Sequence, residues 1–319
     1  MVAIRLILDL SENMTMIDPR DIRGQVDLAV EAESAGFDGV MVSEHVVMGK
    51  GADSNGLPLN PREFVMPGMQ HPSTPWPSNI VLMSAVAAAT SRVRIMGCAV
   101  IAPLRHPLAL AKELGTLDLL SRGRLVALLT TSWHKAEYDA LAVPFDKRGE
   151  ILDEQLQIMH AAWSGSPTSF HGKHFNFDDV WLEPKAFRPA GPTLWFGGAT
   201  PHKRLLERLV QYGSGYLPMG PMSDEEKAKL VAALSAAGRN FADLEFLGGI
   251  PGMFKDATSC GNLDESLGVL APQIRFGART FVVKPSQFIS DLANFPEFGR
   301  EVVVKANRIA NEIDGGGLL

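Results

Sequence analysis

Eight short apolar runs, each followed by a segment with helical spacing, constrain this chain more than any other feature. The runs cover residues 4–8, 39–42, 93–101, 125–129, 193–196, 215–217, 244–248 and 280–283. Between most of them apolar residues return every three or four positions, over 19–35, 78–90, 107–120, 147–163, 201–212, 223–237 and 263–276, with a last such segment over 294–313. Strand-helix alternation requires a parallel sheet, because parallel neighbours need a crossover long enough to hold a helix. Eight units in 319 residues fit a closed (β/α)8 TIM barrel, one domain over residues 1–319, better than an open sheet.

Punctuation supports the helices. Asp18-Pro19 reads as a capping acid before a first-turn proline, and Gly36 as the stop of the same helix. Leu152, Leu156, Met159 and Trp163 form one apolar helix face. The sixth run has the weakest pattern of its own, since Gly213, Gly215, Pro218 and Gly220 crowd it. Two segments break the repeat. Residues 49–77 are Gly/Pro-rich and read as a lid or rim over the barrel mouth, and residues 164–192 read as an excursion with hairpin character. The tail from Gly315 to Leu319 is expected to fray.

Composition narrows the function classes. A net charge of -6 without a Lys/Arg-rich run gives no general attraction for nucleic acid. Arg5 and Asp9 break the first apolar run, and no uninterrupted apolar stretch reaches about 18 residues, so neither signal peptide nor membrane span is expected. A cytoplasmic protein is the expectation. Cys98 and Cys260 form no ligand pattern and read as buried thiols.

Chemistry is expected where polar residues leave the carboxyl ends of strands. The second strand ends Val42-Ser43-Glu44-His45, where an imidazole could exchange a proton and Glu44 could orient it. The fourth ends Thr130-Thr131-Ser132-Trp133, three hydroxyls and an indole able to meet a planar heterocycle, or simply an ST-turn over a packed Trp133. Glu137, one turn farther on, reads as solvated. After the fifth strand, Gly197-Gly198-Ala199-Thr200 opens a helix, a place where bare amides favour an anion such as phosphate. His171 and His174 lack the companions of a metal site, the first strand ends Asp9-Leu10-Ser11 without His-x-His, and neither G-x-S-x-G nor G-x-G-x-x-G occurs where a hydrolase or Rossmann domain needs it. No metal is expected.

With these residues placed, the chain resembles the bacterial luciferase-like family of flavin-dependent oxidoreductases, and within it the branch similar to coenzyme F420-dependent enzymes. The anchors are AESAGFDGVMVSEH (32–45), ATSRVRIMG with HPLALAKELGTLDLLSRGRL (89–125), EYDALAVPFDKRGEILDEQL (137–156), and PTLWFGGATP with YGSGYLP (192–218). The resemblance implies a flavin or deazaflavin ring at the barrel mouth, with Glu44 and His45 beside it. It implies a bulge and a non-prolyl cis peptide at Ala99-Val100 behind the ring, and the cofactor phosphate on Gly197 and Gly198 with Ala199 and Thr200. One departure stands out: relatives end the fourth strand with G-x-G-x-G, whereas this chain has Leu128-Leu129-Thr130-Thr131-Ser132, so Thr131, Ser132 and Trp133 stand where relatives leave room for the ring. The implied activity is hydride exchange between F420 and a small organic substrate, with His45 handling the proton. An FMN-dependent two-component monooxygenase and a non-catalytic flavin-binding protein are the alternatives, and a homodimer is implied.

Overall fold

The computed structural model describes residues 4–315. Its strands are β1 (Arg5–Asp9), β2 (Gly39–Val42), β3 (Arg94–Ile101), β4 (Leu125–Thr130), β5 (Thr168–His171), β6 (Asn176–Val180), β7 (Thr193–Gly198), β8 (Gly215–Pro218), β9 (Glu245–Ile250) and β10 (Thr280–Val283). Eight of them close a barrel in the order β1-β10-β9-β8-β7-β4-β3-β2, while β5 and β6 pair separately. Every barrel pairing is parallel, including β1 with β10, which removes the sheet edges. All eight expected runs are barrel strands, and the excursion at 164–192 is the antiparallel β5-β6 hairpin.

Helices α1 (Ile22–Ala35), α2 (Asn79–Ala89), α3 (Pro107–Leu120), α4 (Lys135–Ala140), α5 (Arg148–Ser164), α6 (Lys203–Gln211), α7 (Asp224–Ala236), α8 (Leu263–Leu267), α9 (Leu270–Phe276) and α10 (Phe295–Gly315) pack around it. Three details depart from expectation. Asp21, not Asp18, caps α1 by accepting the Gly24 amide at 2.9 Å, while Asp18 binds Arg20. The helix expected over 263–276 breaks into α8 and α9, and α4 was not foreseen. Gly36 does end α1, at a φ of 98° that favours glycine. Of the tail expected to fray, only Gly315 is described, as the last residue of α10.

Two apolar layers follow from the two faces of each strand. Ile7, Met41, Met96, Val126, Leu128, Trp195, Leu247 and Val282 fill the barrel interior. The outward residues, among them Leu6, Leu8, Val40, Leu129 and Phe196, meet the helices, where Leu152, Leu156, Met159 and Trp163 are buried as their spacing implies. Polar fasteners hold the amino end. The Arg124 guanidinium reaches the carbonyls of Ala87, Thr90, Val93 and Ser121 at 2.8–3.0 Å. Glu33 accepts the amides of Ser91, Arg92 and Val93; burial opposes its ionisation, yet these bonds outweigh it and pull its pKa down.

Gly215, among the glycines that weaken the sixth run, has a packing reason. A Cβ on Gly215 would lie 2.1 Å from the Trp195 ring, so β8 gives up a side chain to seat an indole in the barrel. Gly215→Ala should therefore cost roughly 1–3 kcal/mol. The expected outcome is a lower urea midpoint with an unchanged slope.

Candidate active site

Strand alternation decides which residues reach the mouth. One step beyond the apolar interior, the inward positions at the carboxyl ends are Asp9, Ser43, Cys98, Thr130, Gly197, Gly249 and Lys284. Cys98 and Asp9 are deeply buried. Burial, with Asp9 and Glu12 nearby, pushes the Cys98 thiol pKa well up, so Cys98 is an inert packing group; Cys260 is only half-buried, against expectation, with Sγ 3.3 Å from Ser290 Oγ. Burial and then Glu12 raise Asp9 well above the usual carboxyl range, partly offset by Lys284.

His45 is 8% exposed, and its partner is not the one its sequence neighbour suggested. Nδ1 lies 3.3 Å from Oε2 of Glu137, a residue with no exposed surface, so the acid read as solvated is the one that holds the imidazole. The other Glu137 oxygen accepts the amides of Val46 at 2.6 Å and Val47 at 3.3 Å. Glu44 points elsewhere. It accepts the Ile101 amide at 2.8 Å and pairs with Arg105, fastening β2 to the end of β3.

Aromatic rings wall the imidazole. Trp76 and Trp133 lie 5.7 Å and 5.9 Å from it between ring centroids, Trp133 edge-on, and His134 lies 6.3 Å away. Burial, then the neighbouring His45, lowers the His134 pKa against the pull of Glu137. A neutral His134 suits its bond, since Nε2 accepts the Gly49 amide at 2.9 Å.

Residues 49–77 contain no helix or strand and lie across the mouth, as expected of a lid. The Asn60 side chain reaches the carbonyls of Asp256 and Ser259, and Arg62 reaches Thr258, all in the loop after β9. Lys284 bonds the Glu63 carbonyl at 2.6 Å beneath the Phe64 ring, and Glu12 accepts the Val65 amide at 3.1 Å. Phe64 packs onto the interior cluster beside Ala99 and Leu217.

The remaining expected positions share this end of the barrel. The register of β3 against β4 shifts between Cys98 and Val100, and the cis bond joins Cys98 to Ala99, one residue earlier than the resemblance placed it. Thr130 to Trp133 are all half-buried; Ser132 adopts φ 55° and its amide meets Thr130 Oγ1 at 3.4 Å, an ST-turn, while the Thr131 carbonyl accepts the Tyr138 hydroxyl. Gly197 and Gly198 close β7, separated from β2 by β3 and β4. The exposed amides of Ala199 and Thr200 have no protein acceptor among the described residues, and His202 caps α6 at its third amide, Leu205. His171 pairs with Asp178 at 2.9 Å and His174 with Glu150 at 3.5 Å on the hairpin side.

Sequence reasoning placed Trp76 only in the lid, with Met66 and Met69, as cover for an apolar substrate, and missed His134, Glu12 and Lys284. Lys284 had a signal: it follows the apolar Phe281, Val282 and Val283 at a strand end, the rule that selected His45. His134 had none, and the place of Trp76 beside His45 had none, because the α4 turn and the lid path decide these positions.

The family model for luciferase-like monooxygenases matches residues 5–256. An uncharacterized protein of Mycobacterium tuberculosis is 32% identical over 169 residues, 52% of this chain and 57% of its own. The FMNH(2)-dependent dimethylsulfone monooxygenase of Pseudomonas putida is 27% identical over 183 residues, 56% of this chain and 44% of its own. The chain thus spans about half the length of the curated relatives it matches. Among solved structures, an F420-dependent secondary alcohol dehydrogenase in complex with an F420-acetone adduct superposes with a TM-score of 0.68 at 16% identity, over 95% of this chain and 99% of that one. Monooxygenase RslO1 from Streptomyces bottropensis gives 0.68 at 22% identity, over 97% and 99%. These identities speak to the fold, while the family match runs from β1 past the end of β9: the chain belongs to the luciferase-like monooxygenase family of oxidoreductases.

Proposed function

We propose that the chain is a coenzyme F420-dependent oxidoreductase that exchanges a hydride with a small, largely apolar alcohol or carbonyl compound. The observation that carries this reading is the buried His45-Glu137 pair under the lid. A bound deazaflavin would donate the hydride to a carbonyl when reduced, or accept it from an alcohol when oxidised. The protein's part is to move the matching proton, orient the substrate and keep water out. Glu137 accepts Nδ1–H and so leaves His45 Nε2 as the atom that gives a proton to a developing alkoxide, or takes one from an alcohol. Phe64, Trp76 and Trp133 supply apolar walls.

The residues present fit the cofactor's anionic end. Ala199 and Thr200 are exposed just before α6 with no protein acceptor for their amides among the described residues, and Lys203 adds a positive charge at the helix start. Thr130, Thr131 and Ser132 offer hydroxyls in place of the bare backbone of relatives, and would hold the polar edge of the ring. The match over nearly the full length to an enzyme described as F420-dependent supports this reading. A second reading, an FMN-dependent monooxygenase, draws on the sequence similarity to the dimethylsulfone enzyme.

His45→Ala should lower kcat by about 100-fold to 10,000-fold and remove one limb of the pH-rate profile. An unchanged profile would end the assignment. Glu137→Gln keeps a side-chain oxygen for the Val46 and Val47 amides but removes the charge. It should lower kcat by roughly 10-fold to 100-fold at similar KM, the loss of one charge-assisted hydrogen bond of about 1.5–3 kcal/mol.

Parallel titrations with F420 and FMN, read by tryptophan quenching, decide the cofactor. Tighter F420 binding without substrate-dependent oxygen uptake is expected. Tighter FMN binding with oxygen uptake would establish the second reading instead. Binding of either without turnover on any hydride acceptor would make the chain a flavin-binding protein.

A further inference from the structure

The amino end of the barrel, opposite His45, holds a cavity of about 610 Å³. That volume lies within the roughly 300–1,000 Å³ of small-molecule sites. Its lining carries Arg5, Arg94, Arg124, Arg188, Lys227 and Arg279 against only Asp243 and Glu245, although the chain as a whole has a net charge of -6. Asp38 beside Arg5 and Arg94, Asp118 beside Arg188 and Glu33 beside Arg124 reduce the local excess.

The few acids are already committed. Asp243 accepts its own turn's Asn240 amide at 2.8 Å. Glu245 is shared by Arg94 at 2.8 Å, Arg5 at 3.2 Å and the Thr280 hydroxyl. Arg124, Arg188 and Arg279 bind backbone carbonyls, which fix their planes without neutralising their charge. Lys227 lies 4.5 Å above the Phe276 ring and 5.1 Å above Phe241, held by faces that again leave the charge in place. Lys227 and Arg279 are half-buried with no carboxylate paired to them among the described residues, and a concave arrangement of fixed guanidinium groups matches an oxyanion in geometry as well as sign.

We infer that this cavity is a second ligand site, for a small oxyanion carrying at least two negative charges. It is separate from the mouth, and nothing in its recognition depends on a flavin.

Calorimetric titration of the full chain with pyrophosphate and, separately, citrate, against sodium chloride at matched ionic strength, tests the site and shows whether phosphoryl or carboxylate groups are preferred. Saturable binding is expected, weakened about tenfold in Arg5→Gln and in Lys227→Gln and unchanged in Lys203→Gln at the glycine turn. Absence of saturable binding at millimolar ligand overturns the inference. So does a loss confined to Lys203→Gln, which would put the anion at the mouth. If either cavity variant fails to fold by circular dichroism, a pyrophosphate-soaked crystal decides: density between Arg5, Arg94 and Arg279 supports the site, and density elsewhere or none rejects it.

Discussion

Closing eight parallel strands leaves an interior that side chains must fill from one end to the other, and most of this molecule follows from how that filling is done. Inward positions near mid-strand are apolar, and Trp195 is large enough that Gly215 opposite it has no side chain. Toward each end the same positions turn polar, and at the carboxyl end the charges of Asp9 and Lys284 are buried. The amino end takes arginines around Glu245, and the carboxyl end takes Asp9, Thr130 and Lys284. The two polar ends are consequences of one packing rule and share no residues.

Much of the fold was legible because periodicity reports which face of an element is buried, and that does not change with distant contacts. The strings that carry the family resemblance also turn out to be fasteners. Glu33 and Asp38 lie in AESAGFDG, and their carboxylates bind the amides of the loop before β3 and of Leu6; Arg124 lies in SRGR and grips four carbonyls. Such residues identify the scaffold and say little about what its mouth binds. This is why the family is clear where the cofactor needs a titration.

The candidate site was legible in half. The strand-end rule picked His45 and the glycine turn, both of which lie at the carboxyl end of the barrel, but it paired His45 with the adjacent Glu44. Consecutive residues leaving a strand point in different directions. Glu44 accordingly runs sideways to Ile101 and Arg105, and the imidazole takes its acid from 92 positions away. No local pattern marks Glu137 as buried, because the six-residue α4 and the backbone of Val46 and Val47 enclose it together. The lid was recognisable only as irregularity. Its anchors explain why: several run to or from the backbone, as at Glu63, Val65, Asp256 and Ser259, so they leave little trace in residue choice at those positions.

One carboxylate does two jobs at once. Glu137 holds Nδ1 of His45 with one oxygen and, with the other, the first two amides of the chain leading into residues 49–77. Any swing of that covering segment pulls on the same anchor that sets the tilt of the imidazole. Under the proposed function, proton transfer would thereby be tied to enclosure, because the contact that aims the ring is also one that anchors its roof.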